Sequence, residues 1–278
     1  MKKKLRLKKK YNIMIASILF VVSISFLLLS SYKLYNWCKD NFKVKEVTKN
    51  IVDDTIIDEI KDSSNTIIFN EPEKIDPKND YWDYIKVPLM NVDFNELLKK
   101  NKETVGWLKV NGTSINYPFV KTTNNEYYLT HAIDRTRNNA GWLFMDYRNN
   151  TKEYDKNTII YGHARVNNTM FGTLKKILNT SWQENKDNQV IKISTPYENT
   201  SWQVFSVYSI PVESYYLQTN FNNNEDYLDF LKTINERSFH KYDVSLNEMD
   251  KILTLSTCLN DVNSRVVLHA KLIKKEIR

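Results

Sequence analysis

From Ile13 to Leu29 the chain reads IMIASILFVVSISFLLL, a run without a single charged side chain. Extended to Tyr32, it supplies about 20 residues, which as a helix span roughly 30 Å, the thickness of one bilayer core. A cleaved leader would carry a shorter apolar region and end in a small-x-small site. Here Ser30-Ser31-Tyr32-Lys33-Leu34-Tyr35 follows the run and offers a poor cleavage site. An uncleaved anchor over residues 12–32 is therefore expected. Basic residues crowd before it and not after it, which sets the N-terminus in the cytoplasm and the body outside. The expected location is the cell membrane, crossed once.

The net charge of +7 does not make this a nucleic-acid protein, because Lys2, Lys3, Lys4, Arg6, Lys8, Lys9 and Lys10 account for all of it. A nucleic-acid footprint belongs on a folded body; this one is a tail, residues 1–11. Two cysteines, Cys38 and Cys258, are far apart in sequence, and a bridge would tie a strand end to the membrane stalk. Two unpaired thiols fit better. No close His/Cys group has ligand spacing, so neither a metal nor another cofactor is expected.

Residues 33–80 are polar and mixed in charge and read as a partly helical stalk. Val47, Ile51, Ile56, Ile57 and Ile60 approximate a helical stripe within it. Glu71-Pro72-Glu73-Lys74-Ile75-Asp76-Pro77 marks a boundary, and residues 81–278 form the expected folded domain. Asp93–Lys100 reads as a short helix capped by Asp93. Then short strands take over: Gly106–Val110, Ser114–Val120, Gly141–Asp146, Thr158–His163, Gln189–Thr195, Ser201–Ile210, Lys251–Thr257 and Arg265–Ile273. Helices are expected over Thr169–Leu178 and Glu225–Ile234. This mainly β pattern suggests a closed or nearly closed eight-stranded barrel.

Lys251-Ile252-Leu253-Thr254-Leu255-Ser256-Thr257 delivers Cys258 to a strand end, and Arg265 opens the next apolar run. If the two runs pair as a hairpin, thiol and guanidinium become neighbours. A free cysteine is only a few per cent thiolate at neutral pH, so a nucleophile needs a cation or a base beside it. His163, after Tyr161-Gly162 at the end of an apolar strand, is the best placed of the four histidines. Alternation sets Thr254, Ser256 and Cys258 on one face and suggests a polar groove ending at the thiol.

Thr254-Leu255-Ser256-Thr257-Cys258, with Arg265 downstream and Tyr161-Gly162-His163 upstream, closely resembles the sortase family of Gram-positive cysteine transpeptidases. Within it the chain looks most like class B, through the N-terminal anchor, the segment Gly141–Asn149 and the Glu225–Ile234 helix. The resemblance implies a sortase-type β-barrel with N-terminal helices and a helix between late strands, preceded by one transmembrane helix. It implies that Cys258 attacks a threonine carbonyl in a C-terminal sorting signal of secreted surface proteins and forms a thioester. His163 would act as acid and then base, and Arg265 would hold the oxyanion. A peptidoglycan precursor's amine would be the acceptor. Tyr161, Ser256 and Asn116 would line the groove for the signal.

Three other readings compete. A cysteine peptidase that only hydrolyses its acyl-enzyme would need the same residues. A catalytically silent binding domain would be favoured by the loss of His163, Cys258 or Arg265, and all three are present. A peptidoglycan cross-linking enzyme with a cysteine nucleophile would carry a Ser-His-Gly-Cys-like string, absent here.

Overall fold

The computed structural model describes residues 9–69, 81–258 and 264–278. The basic residues of the tail before Lys9, the expected boundary at Glu71–Pro77 and the loop after Cys258 lie outside the described residues. Two compact units divide at Lys43/Val44. In the first, helix α1 (Lys9–Asp54, which continues into the second unit) presents Ile18, Phe20, Leu27 and Leu28 more than half exposed. Its apolar stretch has a mean hydropathy of 2.6 and is long and apolar enough to cross a membrane.

The second unit, Val44–Arg278, holds the barrel. It begins earlier than expected. Val44 and Ile51 on the end of α1 are buried in the main core. Beyond Asp54 the expected helical stripe breaks, and Ile57–Ile60 forms strand β1. Strand β2 (Thr66–Ile68) follows, then the short helix α2 (Tyr81–Tyr84) and β3 (Leu89–Val92). Strand β1 pairs with β3 in a separate two-stranded sheet. Isoleucines satisfy either period, so the local pattern could not choose; pairing with β3 decides it.

Two buried lysines fasten this segment to the body. The Lys274 ammonium, fully enclosed, donates to Asp62 Oδ1 at 2.7 Å and to the carbonyls of Ile85 and Val87. Lys192, only 4% exposed, meets Glu59 at 2.8 Å, and that bond holds the Glu59 carboxyl below its ordinary range.

Helix α3 (Asn95–Lys100) starts later than the expected cap. Phe94 occupies the cap position, while Asp93 Oδ1 accepts from Asn95 N at 2.9 Å. The barrel strands are β4 (Thr104–Val110), β5 (Asn116–Val120), β6 (Phe144–Met145) and β7 (Asn157–His163). They continue with β8 (Val190–Ser194), β9 (Glu198–Pro211), β10 (Ile252–Cys258) and β11 (Ser264–Ile277). Their order is β10-β7-β6-β5-β4-β8-β9-β11, and pairing of β10 with β11 closes the ring, with β2 appended to β11. All eight fall on the segments expected from the sequence.

Alternation fills the barrel from one face of each strand. Leu253 and Leu255 of β10 join Leu268, Ala270 and Leu272 of β11 in the main core, with Trp107, Trp142 and Trp202 fully enclosed. Each such large apolar side chain contributes about 1.5–3 kcal/mol on burial. The opposite face of β10 and β11 is covered by helix α5 (Asn224–Glu236), which follows the short α4 (Thr180–Gln183) in chain order. Its Tyr227, Phe230, Leu231 and Ile234 pack with Phe205, Tyr208, Tyr216 and Val267. Asn223 caps it by accepting from Asp226 N at 2.8 Å, and Glu225 and Asp226 favour the positive end of the dipole.

The expected helix over Thr169–Leu178 is reduced to a 3-10 turn at Leu174–Leu178. Asn168 and Met170 adopt positive φ (63° and 53°), so the backbone before it cannot be helical.

Candidate active site

Strands β7 and β10 run parallel, and their register ends with Cys258 opposite His163. Neighbouring strands lie about 4.8 Å apart, so these two positions are adjacent and share a face. On the other side of β10, antiparallel β11 pairs Val267 with Ser256. Val266 N donates to Thr257 Oγ1 at 2.9 Å. Continuing that register to the end of β10 sets Arg265 opposite Cys258. Three strands thus bring His163, Cys258 and Arg265 to one end of the barrel.

The imidazole is fixed from behind. His163 is 5% exposed, and its Nε2 lies 2.7 Å from Leu129 O. A carbonyl can only accept, so Nε2 carries a proton and Nδ1 is the basic nitrogen of the neutral ring. Gly141 lies against the same ring with φ +63°; a Cβ there would stand 2.7 Å from His163 Cδ2 and 2.6 Å from Tyr128 O. Leu129 was not singled out in the sequence, and Gly141 appeared only as the start of a strand and of the class B-like segment, not as a neighbour of His163. A glycine before a tryptophan, in a chain with only five glycines, was the available signal.

Arg265 is half-buried at the start of β11. Its Nε is enclosed and has no hydrogen-bond partner among the described residues. A buried charged donor without an acceptor is unfavourable unless a ligand supplies one.

Tyr161 precedes Gly162 and His163 and shares the face of His163, and its hydroxyl donates to Asp146 Oδ2 at 2.9 Å. Burial pushes the fully enclosed Asp146 carboxyl up. Donors from Arg148 (side chain and backbone), Tyr161 and Asn125 outweigh it, and the group ends below its ordinary value. Arg148 also donates to Leu217 O at 2.9 Å, joining the loop beyond β9 to the same cluster. Asn116 opens β5 at this end of the barrel, its Oδ1 accepting from Trp107 Nε1 at 2.7 Å.

The groove suggested along the polar face of β10 is filled. Ser256 is fully enclosed with Oγ 2.9 Å from the Tyr216 hydroxyl. Thr254 Oγ1 donates to Asn157 Oδ1 at 2.6 Å and so accepts from His269 Nδ1 at 2.9 Å. His269 Nε2 then accepts from the Tyr208 hydroxyl at 2.7 Å. Burial lowers the His269 pKa to about 3, which keeps this ring neutral. Among the described residues, no group of three or more His, Cys, Asp or Glu could hold a metal ion.

The Sortase domain family matches residues 108–273, well over half of the chain. The chain belongs to the sortase family. Sortase B of Staphylococcus aureus (strain NCTC 8325 / PS 47) is 39% identical over 184 residues, which cover 65% of this chain and 75% of that one. Sortase B of Listeria monocytogenes serovar 1/2a is 36% identical over 190 residues, 66% of this chain and 75% of that one. A solved Staphylococcus aureus sortase B–substrate complex superposes with a TM-score of 0.62 at 38% identity, covering 65% of this chain and 84% of that one. A sortase B from B. anthracis gives 0.67 at 31% identity, over 85% of this chain and 99% of that one. The closed barrel, the order of its strands and these likenesses make this chain a sortase-type cysteine transpeptidase, most like class B.

Proposed function

We propose that this sortase is held in the membrane by residues 12–32, with the tail in the cytoplasm and the barrel outside. There it cleaves a C-terminal sorting signal of secreted proteins and joins the new end to a peptidoglycan amine. The meeting of His163, Cys258 and Arg265 at one barrel end carries this reading.

In the first step His163 Nδ1 takes the Cys258 thiol proton as the sulfur adds to the threonine carbonyl carbon, and the carbonyl oxygen takes the negative charge. The orphaned Arg265 Nε, with the rest of its guanidinium, receives that oxyanion. As the tetrahedral species collapses, the C–N bond breaks and His163 gives its proton to the departing amide nitrogen. A thioester on Cys258 remains. In the second step the acceptor amine adds to that thioester, His163 takes the amine's proton, and the C–S bond breaks to leave a new amide and a free Cys258. Tyr161 and Asn116 line the path of the signal, while Ser256, enclosed against Tyr216, does not reach it.

Two likenesses support the substrate class. One solved sortase B of S. aureus is a substrate complex, and another solved sortase B is complexed with triglycine, whose free amine is of the acceptor kind. The test is mass spectrometry of the full chain in detergent after mixing with candidate sorting peptides. An acyl adduct on Cys258, converted by triglycine to an amide product, is expected. Peptide cleavage without any adduct on Cys258 would overturn the reading; water-only products in saturating triglycine would make it a hydrolase.

A further inference from the structure

The barrel has a second opening, at the end away from Cys258. A cavity of about 300 Å³ lies there, within the size range of small-molecule sites. Lys251, just ahead of β10, borders it. The whole length of β10 separates Lys251 from Cys258, about 23 Å at the usual strand rise. No residue lining this cavity takes part in the site described above.

The lining combines three chemistries. Tyr154 and Leu272 form an apolar floor, with Tyr154 edge-on to the enclosed Trp202 at 4.7 Å. Phe69 and Tyr197 add aromatic faces at the rim, and Tyr197 is 45% exposed. Lys152, Lys251 and Lys275 bring three ammonium groups, against the carboxylates of Glu153 and Glu198. Glu198 is only 7% exposed and pairs with Lys275 at 3.3 Å. Three lysines thus stand against two glutamates in the lining, and the cavity keeps a positive excess.

An apolar ligand would leave these ammonium groups facing it without an acceptor, and a bare anion would leave the aromatic floor unused. A sugar ring answers both demands when it carries an acidic group. Its C–H face lies on the tyrosines, its hydroxyls or amide reach Glu198, and its negative group meets Lys152 and Lys251. We propose that this lower mouth binds an acidic saccharide unit, a sugar ring bearing a carboxylate or a phosphate. The site does not depend on the acyl-transfer reading. It gives the barrel a hold on an anionic glycan while the opposite end does chemistry.

Ligand-observed saturation-transfer NMR on the full chain in non-ionic detergent tests it. The probes are N-acetylmuramic acid, N-acetylglucosamine 6-phosphate, neutral N-acetylglucosamine and inorganic phosphate. Saturable binding of at least one acidic sugar is expected, with the neutral sugar and phosphate at least about tenfold weaker. The preferred acidic sugar tells a carboxylated source from a phosphorylated one. Tyr197→Ala and Lys251→Gln should each weaken that binding by about tenfold, with melting and sorting-peptide cleavage unchanged. Absence of saturable binding, equal binding of the neutral sugar or of phosphate, or unaltered affinity in both variants would each overturn the proposal.

Discussion

Cys258 and His163 occupy the last paired position of the parallel β7–β10 ladder. That pairing is set by the backbone, since seven consecutive residue pairs from Ile252↔Asn157 onward hold the register. A one-residue slip would carry the cysteine to the opposite face. The barrel therefore fixes the two backbone positions side by side. Cys258→Ala is expected to abolish the thioester and cleavage of a sorting peptide while melting like the parent; an Ala variant with full turnover would end the mechanism.

Gly141 leaves room for the imidazole that any side chain there would take. An alanine there takes a left-handed backbone at about 1–2 kcal/mol and thrusts its Cβ against the His163 ring. A displacement of about 1 Å at a catalytic group lowers rates by about 100-fold. Gly141→Ala should therefore lose activity far beyond its loss of stability. Peptide cleavage alongside thermal melting measures both, and a fall in melting temperature with unaltered kcat/KM would refute the positioning role.

Arg265→Lys tests geometry against charge. A lysine keeps the positive charge but has no planar fork and no Nε at the enclosed position. A loss of about 100-fold or more in kcat/KM is expected, as for removal of an oxyanion donor. Near-parental turnover would show that Arg265 only tunes charge.

His269 makes the fold sensitive to acid. The unfolded chain takes up its proton near 6.5, the folded chain only near 3. The folded state is thus at full strength above pH 6.5 and weakens as pH falls toward 3. Between about pH 7.5 and about pH 5 this residue alone removes about 2 kcal/mol. The urea midpoint of the parent should drop by the corresponding amount over that interval, and that of His269→Gln should drop less. Identical pH dependence in the two proteins would remove His269 as the cause.

The barrel was legible because its strands alternate sharply; Leu253 and Leu255 against Thr254 and Ser256 gave both the strand and its two faces. The three residues proposed for the site drew attention for the same reason, since each stands at a strand end. What escaped depended on distant partners. Lys274 reads as a surface charge until Asp62 and two carbonyls enclose it. Ile57–Ile60 reads as helix until β3 arrives beside it. Ser256 reads as groove lining until Tyr216 and α5 cover it. Leu129 holds His163 through a backbone carbonyl, a role that no side chain announces.

The strand pair that closes the ring also carries Cys258, the proposed nucleophile, and Arg265. A nascent chain that has emerged only as far as Asp250 contains β4 to β9 and His163, yet lacks the Cys258 thiol. Under the proposed mechanism, reactivity arrives together with the final seam. On that mechanism, the order in which the polypeptide emerges leaves an unfinished barrel without the sulfur it would attack with.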